Sequence, residues 1–261
     1  MVAPVGTIGQ QIRHAAQLLR ASRHAVALSG AGVSAESGIP TYRSQGGLWT
    51  RLGEPTIDGW ELFQNDPQKW WELALEERSR NNEFAQAIER AEPNPAHHAM
   101  AEMEESGRLA HLITQNIDNL HRRAGSKHLT EIHGNRWLVR CTNCGARDRL
   151  ETISLDRLPP LCPECGGILK NDVVMFGEPI PDDALRSAYK QALSSDLFLV
   201  VGTSAVVYPA AEFPIMAKRQ GGPLIEVNPE ETALSEIADA IIRAPAGEAL
   251  PEIMELLQQQ L

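Results

Sequence analysis

Four cysteines and one histidine are, by type and spacing, the residues of this chain best suited to chemistry. Cys141-x2-Cys144 and Cys162-x2-Cys165 form two pairs separated by seventeen residues, the spacing of a four-thiolate zinc site. Gly145 and Gly166-Gly167 follow the pairs, as tight knuckles that turn backbone N–H groups toward sulfur require. Four unrelated thiols or two disulfides are the competing readings, and an intracellular setting disfavours the second. A metal with four sulfur ligands has no open coordination position, so one structural zinc is expected and the chemistry must lie elsewhere. His133, in Glu131-Ile132-His133-Gly134, ends a short run that can be a strand. There it can face a cleft with a pKa close to working pH, as a general base requires. Spacing alone would equally suit an ordinary loop histidine. His97, His98, His121 and His128 are read as surface or capping residues.

The stretch that must hold a partner for such a base is AVALSGAGVSAESGIPTYR, residues 25–43. Its apolar opening, residues 25–28, has the length and character of a strand buried on both faces. Gly30-Ala31-Gly32 then turns the chain, and glycine lets backbone N–H groups approach a ligand closely. Residues 33–37 can open a helix whose N-terminal end attracts a phosphate. Gly38-Ile39-Pro40 stops it and throws Thr41-Tyr42-Arg43 into a loop, offering an aromatic lid and a cationic fork. A tight turn without a ligand stays open as a reading, because Ala35 stands where the dinucleotide fingerprint places its third glycine.

The rest of the chain reads as alternating helices and strands. Ile8, Ile12, Ala15 and Leu19 recur at helical spacing, which predicts an amphipathic helix over residues 7–21. Residues 50–95 change character: Trp60, Phe63, Trp70, Trp71 and Phe84 lie among charges with no strand-like run. This is an inserted helical layer whose aromatics are core, ended by Pro93-Asn94-Pro95. Helices are expected at 97–106 and 250–257, and strands at 110–114, 129–132, 197–202, 224–228 and 240–243. The alternation argues an α/β fold, a parallel sheet with helices on both faces, whose ligands sit beyond the carboxyl ends of the strands. Gln115-Asn116-Ile117-Asp118, Gly202-Thr203-Ser204 and Asn228-Pro229-Glu230 fall at those ends. Each alone is an ordinary loop; with the glycine turn they make a nucleotide cleft.

A chain of 261 residues with 43% hydrophobic content can bury a substantial core in one large domain or two smaller ones. A formal net charge of -10 argues against direct nucleic-acid binding. It suits a small anion held locally, or a basic protein segment arriving from solution. The opening MVAPVGTIGQQ lacks a secretory pattern, and the apolar runs are too short for a bilayer. No membrane association and a cytoplasmic location are therefore expected. Oligomeric state is not legible, and a monomer is compatible.

Taken together these residues resemble the sirtuin family of NAD-dependent protein deacylases. The likeness runs through GAGVSAESGIP with Arg43, QNID at 115–118, HG at 133–134 and both CxxC pairs. It continues through VMFGE at 174–178, GTS at 202–204 and VN at 227–228, in family order over roughly residues 25 to 247. The resemblance implies a single catalytic domain with a large Rossmann-type part (1–50, 98–138 and 172–261). It also implies a small part made of the helical insert (51–97) and a zinc-binding module (139–171). NAD and an acyl-lysine peptide would meet between them. By the family's mechanism the acyl-lysine amide oxygen attacks the ribose carbon bearing nicotinamide. His133 would then be the general base that activates a ribose hydroxyl. Products would be free lysine, O-acyl-ADP-ribose and nicotinamide. Asn116 would order ribose and water, Gln115 would contact ribose, and Asp118 would hold the nicotinamide carboxamide. Gly30, Ala31, Gly32, Ala35, Tyr42, Arg43 and Ile117 would line the cofactor loop. Gly202, Thr203, Ser204, Asn228, Pro229, Glu230 and Ala246 would surround the adenosine half. The peptide would pair by backbone, as an added strand, with Val174, Met175, Phe176, Gly177 and Glu178 and with the chain near Val207.

Thr41 and Tyr42 stand where many sirtuins have Asp and Phe, and Met175 replaces a frequent aromatic; none of these removes a catalytic group. The branch that removes acidic acyl groups carries a Tyr and an Arg three residues apart in the insert. Counting from Asp66-Pro67 puts Ala74 and Glu77 there, and the only tyrosines are Tyr42, Tyr189 and Tyr208. Glu72, Glu76 and Glu77 add negative charge, with Arg78 or Arg80 as possible cations. An uncharged acyl group, acetyl above all, is expected, because desolvating an unpartnered carboxylate is costly. The alternatives are a desuccinylase or demalonylase, an ADP-ribosyltransferase using the same cleft, and a non-catalytic NAD-sensing module. Intact His133, Asn116 and Asp118 argue against the last.

Overall fold

The computed structural model describes residues 6–43, 47–53, 59–79 and 83–259. Arg80 lies outside the described residues. The strands are β1 (Ala25–Ser29), β2 (His111–Thr114), β3 (Leu129–Glu131), β4 (Leu138–Cys141), β5 (Arg147–Arg149), β6 (Leu169–Asn171), β7 (Leu197–Val201), β8 (Leu224–Val227) and β9 (Ala240–Ile242). The helices begin with α1 (Ile8–Ala21), α2 (Ala31–Ser34), α3 (Leu48–Leu52), α4 (Gly59–Asn65), α5 (Pro67–Ser79) and α6 (Glu83–Arg90). They continue with α7 (Pro95–Glu105), α8 (Leu120–Ala124), α9 (Asp182–Ser194), α10 (Glu212–Arg219) and α11 (Ala246–Gln258).

Six strands form one parallel sheet in the order β3-β2-β1-β7-β8-β9. That is the Rossmann-type order, and it reverses between β1 and β7, where ligands bind in such sheets. All residues of β1, β7, β8 and β9 are buried, as a sheet covered on both faces demands. Ala25, Ala27, Leu197 and Leu199 meet α1, α7 and α11 on one face. Val26, Leu28, Phe198 and Val200 meet α9 and α10 on the other. Each large apolar side chain buried this way contributes about 1.5–3 kcal/mol.

Local chemistry sets the helix ends. On α1 the Thr7 hydroxyl accepts the Gln10 N–H and the Gln10 side chain accepts the Thr7 N–H, a capping box. On α7 the Asn94 side chain accepts the N–H groups of Ala96 and His97, with Pro95 at the first helical position. Asn94 Nδ2 also donates to the Val33 carbonyl at 2.7 Å, tying this cap to the glycine-turn segment.

A second, antiparallel sheet of order β5-β4-β6 carries the cysteines. Phe63, Trp70 and Trp71 of the helical insert pack against Val139, Cys141, Cys162 and Leu169, and Trp71 Nε1 donates to the Leu169 carbonyl. Phe63, Trp70 and Trp71 are core, as read from the sequence, and Trp60 packs against them half-buried; Phe84, read with them as core, is half-buried and lines the cavity of the candidate site instead. Among the described residues no helix is long and apolar enough to cross a membrane.

Two local expectations are corrected. The segment after Gly30 becomes helical at Ala31 and tightens to a 3-10 turn over Ala35–Ser37, rather than starting at Val33. The last helix starts at Ala246, not Leu250, because the Glu36 carboxylate accepts the Gly247 N–H and fixes its first turn.

Candidate active site

The site is assembled where β1, β2 and β7 end. Gly30 donates its N–H to the Val201 carbonyl and Gly32 to the Gly202 carbonyl, at 3.0 and 2.8 Å. A Cβ on Gly30 would lie 2.6 Å from Thr203 Cβ, and one on Gly32 would lie 2.7 Å from Gly202 Cα. Gly202 itself has φ +59, the left-handed region that favours glycine. These glycines therefore let two turns touch backbone to backbone, and the Gly30 and Gly32 N–H groups are used inside the protein.

The polar cluster after β2 is locked onto that turn. Asn116 Nδ2 donates to the Gly30 carbonyl and to Ser34 Oγ, both at 3.1 Å. Ser34 Oγ in turn donates to Asp118 Oδ2 at 2.7 Å. Gln115 Nε2 donates to Thr203 Oγ1 at 2.9 Å, joining the ends of β2 and β7 across β1. Burial pushes the Asp118 carboxyl up from its ordinary value, while the Ser34 hydroxyl and the Leu120 N–H hold it down. A cavity opens beside these groups, lined among others by Ala31, Ile39, Tyr42, Phe84, Asn116 and Asp118. Tyr42 packs on Trp49 with centroids 4.8 Å apart. Arg43 lies exposed with its guanidinium carbon 4.2 Å from the Trp49 ring centroid.

His133 is half-buried in the turn that directly follows β3. Its Nδ1 lies 3.2 Å from the Gln115 carbonyl oxygen. A carbonyl only accepts, so Nδ1 carries the proton of the neutral ring and Nε2 keeps its lone pair. Burial lowers its pKa from the ordinary imidazole value, and the Gln115 carbonyl pulls the other way. Asn135 orders the next turn, donating to Asn119 Oδ1 and Glu131 Oε1.

Other expected positions divide. Val174 N–H donates to the His133 carbonyl, so the expected peptide-pairing stretch abuts the histidine. Phe176 is exposed, as are Val206 and Tyr208 on either side of Val207. Glu178 is different: its carboxylate is buried and faces Arg140, Lys170 and the Met175 N–H. Asn228 Nδ2 donates to the Thr203 carbonyl and its Oδ1 accepts the Glu230 N–H, so its amide ties the loop after β8 to the loop after β7. Ser204, Pro229 and Glu230 are exposed. Ala35 lies in the 3-10 turn after α2, and Ile117 lines the cavity. Ala246 begins α11 with its side chain in the core.

The four cysteines converge. Their sulfurs all lie within 4.8 Å of one another, with Cys141–Cys165 at 3.5 Å and Cys144–Cys162 at 3.8 Å. A tetrahedral site with Zn–S bonds near 2.3 Å requires sulfurs about 3.8 Å apart. The Asn143 and Cys144 N–H groups point at Cys141 Sγ. The set fits a structural zinc.

Several contributors were not legible from the sequence. Ser34 bridges Asn116 and Asp118, and its only signal is its place in the glycine-turn segment. Phe84 and Ile88, on α6, close the cavity. His121 is not a surface residue: it is buried, with Nε2 2.9 Å from Ser29 Oγ. His97 does cap α7 but is wholly buried, its ring 4.7 Å from that of His121.

A Rossmann-type sheet with a polar cleft at its reversal point and a closed four-cysteine module defines a nucleotide-binding enzyme with a structural metal site. The sequence model of the Sir2 family matches residues 30–209, and the chain belongs to that family. It is 47% identical over 247 residues to an NAD-dependent protein deacylase of Thermococcus kodakarensis, covering 92% of this chain and 93% of that protein. The crystal structure of a Sir2 homolog–NAD complex superposes with a TM-score of 0.76 at 42% identity, covering 95% of this chain and 94% of that one. A Sir2–p53 peptide–NAD+ complex superposes with a TM-score of 0.75 at 36% identity, covering 94% and 97%.

Proposed function

We propose that this chain is an NAD-dependent protein-lysine deacylase that removes acetyl or similar uncharged acyl groups. The observation that carries the reading is His133: its proton is fixed on Nδ1 by the Gln115 carbonyl, and its own carbonyl holds the stretch expected to bind the peptide. The names of the relatives and the NAD and peptide complexes of the solved neighbours support it.

NAD, when bound, supplies the ribosyl group that accepts the acyl chain. Asp118, fixed by Ser34 and Leu120, offers its carboxylate to an amide N–H2. Asn116 is oriented by Gly30 and Ser34, and Gln115 by Thr203, so both reach the cleft without rotamer freedom. His133 Nε2 takes a proton from a hydroxyl beside it, and the imidazolium forms against the Gln115 carbonyl. Cys141, Cys144, Cys162 and Cys165 would hold one zinc that orders β4–β6 and takes no part in the chemistry.

The partners are acyl-lysine proteins or peptides, with no direct role for nucleic acid or membrane; a monomer is compatible with this reading. A cytoplasmic setting suits the four thiols. The division into a large part (1–50, 98–138 and 172–261) and a small part (51–97 and 139–171) belongs to the same proposal. Separate apolar clusters around the two sheets support it. The test is an acetyl-lysine peptide that should lose its acyl group only with NAD present; loss without NAD, or none with it, overturns the reading.

A further inference from the structure

Arg140 on β4 and Lys170 on β6 are direct cross-strand partners in the cysteine-bearing sheet. Like charges directly opposite on a strand pair repel, and these side chains are 13% and 0% exposed. A buried ammonium is tolerated only when paired and hydrogen-bonded. The compensating carboxylate is Glu178, 1% exposed: Oε1 accepts from Arg140 Nη2 at 2.6 Å and Oε2 lies 3.0 Å from Lys170 Nζ. Lys170 Nζ also donates to the carbonyls of Asn171 and Val173, both at 2.7 Å. Its hydrogen bonds and ion pair therefore fall on residues 171–178, and its ammonium also lies 6.0 Å from the Trp70 ring centroid. Glu178 Oε2 accepts the Met175 N–H at 2.9 Å and the Glu178 N–H reaches the Met175 carbonyl at 3.0 Å. Asp172 completes the cluster, 3.2 Å from Arg140 Nε and 3.1 Å from Arg147 Nε. Arg147 continues to Asp183 on α9.

We propose that Lys170 and Arg140 are positioning residues for the peptide, acting through the buried carboxylate of Glu178, which shapes residues 173–178 from beneath while only the backbone of that stretch meets the peptide. The stretch is pinned on its inner side at Val173, Met175 and Glu178, and Phe176 is left exposed. Arg140 directly precedes Cys141, so the cluster links the metal site to the peptide edge. The cysteine module thereby serves substrate binding as well as folding. The inference rests on the reading that residues 174–178 pair with the peptide.

Two variants test it: Glu178→Gln, which keeps shape but removes the charge, and the double change Lys170→Met with Glu178→Met. The second replaces the buried pair by apolar side chains, a change folds often accept; it carries the test if Glu178→Gln does not fold. In each we expect KM for an acetyl-lysine peptide to rise about tenfold while KM for NAD stays within about twofold. Amide hydrogen exchange at residues 173–178 should quicken, with zinc content unchanged. Glu178→Asp, which retains the charge, should recover part of the peptide affinity. An unchanged peptide KM, or equal rises for peptide and NAD, overturns the proposal. Exchange in the unaltered protein separates the two readings. If added peptide does not protect residues 174–178 there, the peptide-pairing reading has failed. If it does protect them and the variants keep their peptide KM, the positioning role has failed.

Discussion

The backbone N–H of Val174 donates to the backbone carbonyl of His133 at 2.9 Å. Gly134, with φ +77, makes this approach possible, because a Cβ there would lie 1.9 Å from the Asp172 carbonyl oxygen. The histidine and the expected peptide edge are thus one unit. A base held against the stretch expected to present the substrate needs no large motion to reach it.

His133→Ala should fold and bind NAD while deacylation falls by about 10²–10⁴. Burial favours the neutral ring, so the acid limb of kcat/KM should lie below the ordinary imidazole value of about 6.5. Activity should be flat above that limb. Steady-state kinetics across pH checks both; near-normal turnover by the variant, or a limb above 6.5, contradicts the role.

Much of this site was legible because its pieces are local. Residues 25–28 and 197–201 are apolar runs that only a doubly covered strand explains, and the polar clusters follow such runs directly. What sequence could not tell was which clusters touch. Gln115 meets Thr203 only because β1 lies between β2 and β7. His121 looked like a surface residue because its partner Ser29 lies 92 residues away. The start of α11 was hidden for the same reason, since Glu36 lies 211 residues from Gly247. Lys170 and Glu178 look like ordinary surface charges until β6 and the loop after it are folded.

Buried histidines should set the acid limit of stability. Burial lowers His97 and His111 to about 4, and pushes His121 well below its ordinary value. The unfolded chain then binds more protons than the native one below about pH 6.5. Stability should be level above that pH and fall progressively from there toward pH 4. Thermal unfolding followed against pH should show this slope. A His97→Gln/His121→Gln variant that folds should show a shallower one, and an unchanged slope in it would contradict the assignment.

One zinc per chain should be found by metal analysis. Replacing any of Cys141, Cys144, Cys162 or Cys165 by Ser should release it and lower Tm by several degrees or more, because metal binding and folding of such modules are coupled. Active protein without zinc would refute the site.

Acetyl-lysine should be preferred over succinyl-lysine by at least about tenfold in kcat/KM on one peptide sequence. Ala74 is half-buried against the cysteine module and Glu77 is exposed. A cation the sequence reading did not weigh is Arg136, whose guanidinium lies 4.0 Å from Glu89. Burial and Arg78 lower its pKa, against the pull of Glu89 and Glu77, and its buried Nε has no hydrogen-bond partner among the described residues. A preference for succinyl would show that Arg136 or Arg78 serves the acyl chain instead.

Mass spectrometry of the products from NAD and an acetyl-lysine peptide tests the central claim most directly. We expect free-lysine peptide, nicotinamide and O-acetyl-ADP-ribose in equal amounts. ADP-ribose attached to protein or peptide, or nicotinamide released while the peptide keeps its acetyl group, would contradict it.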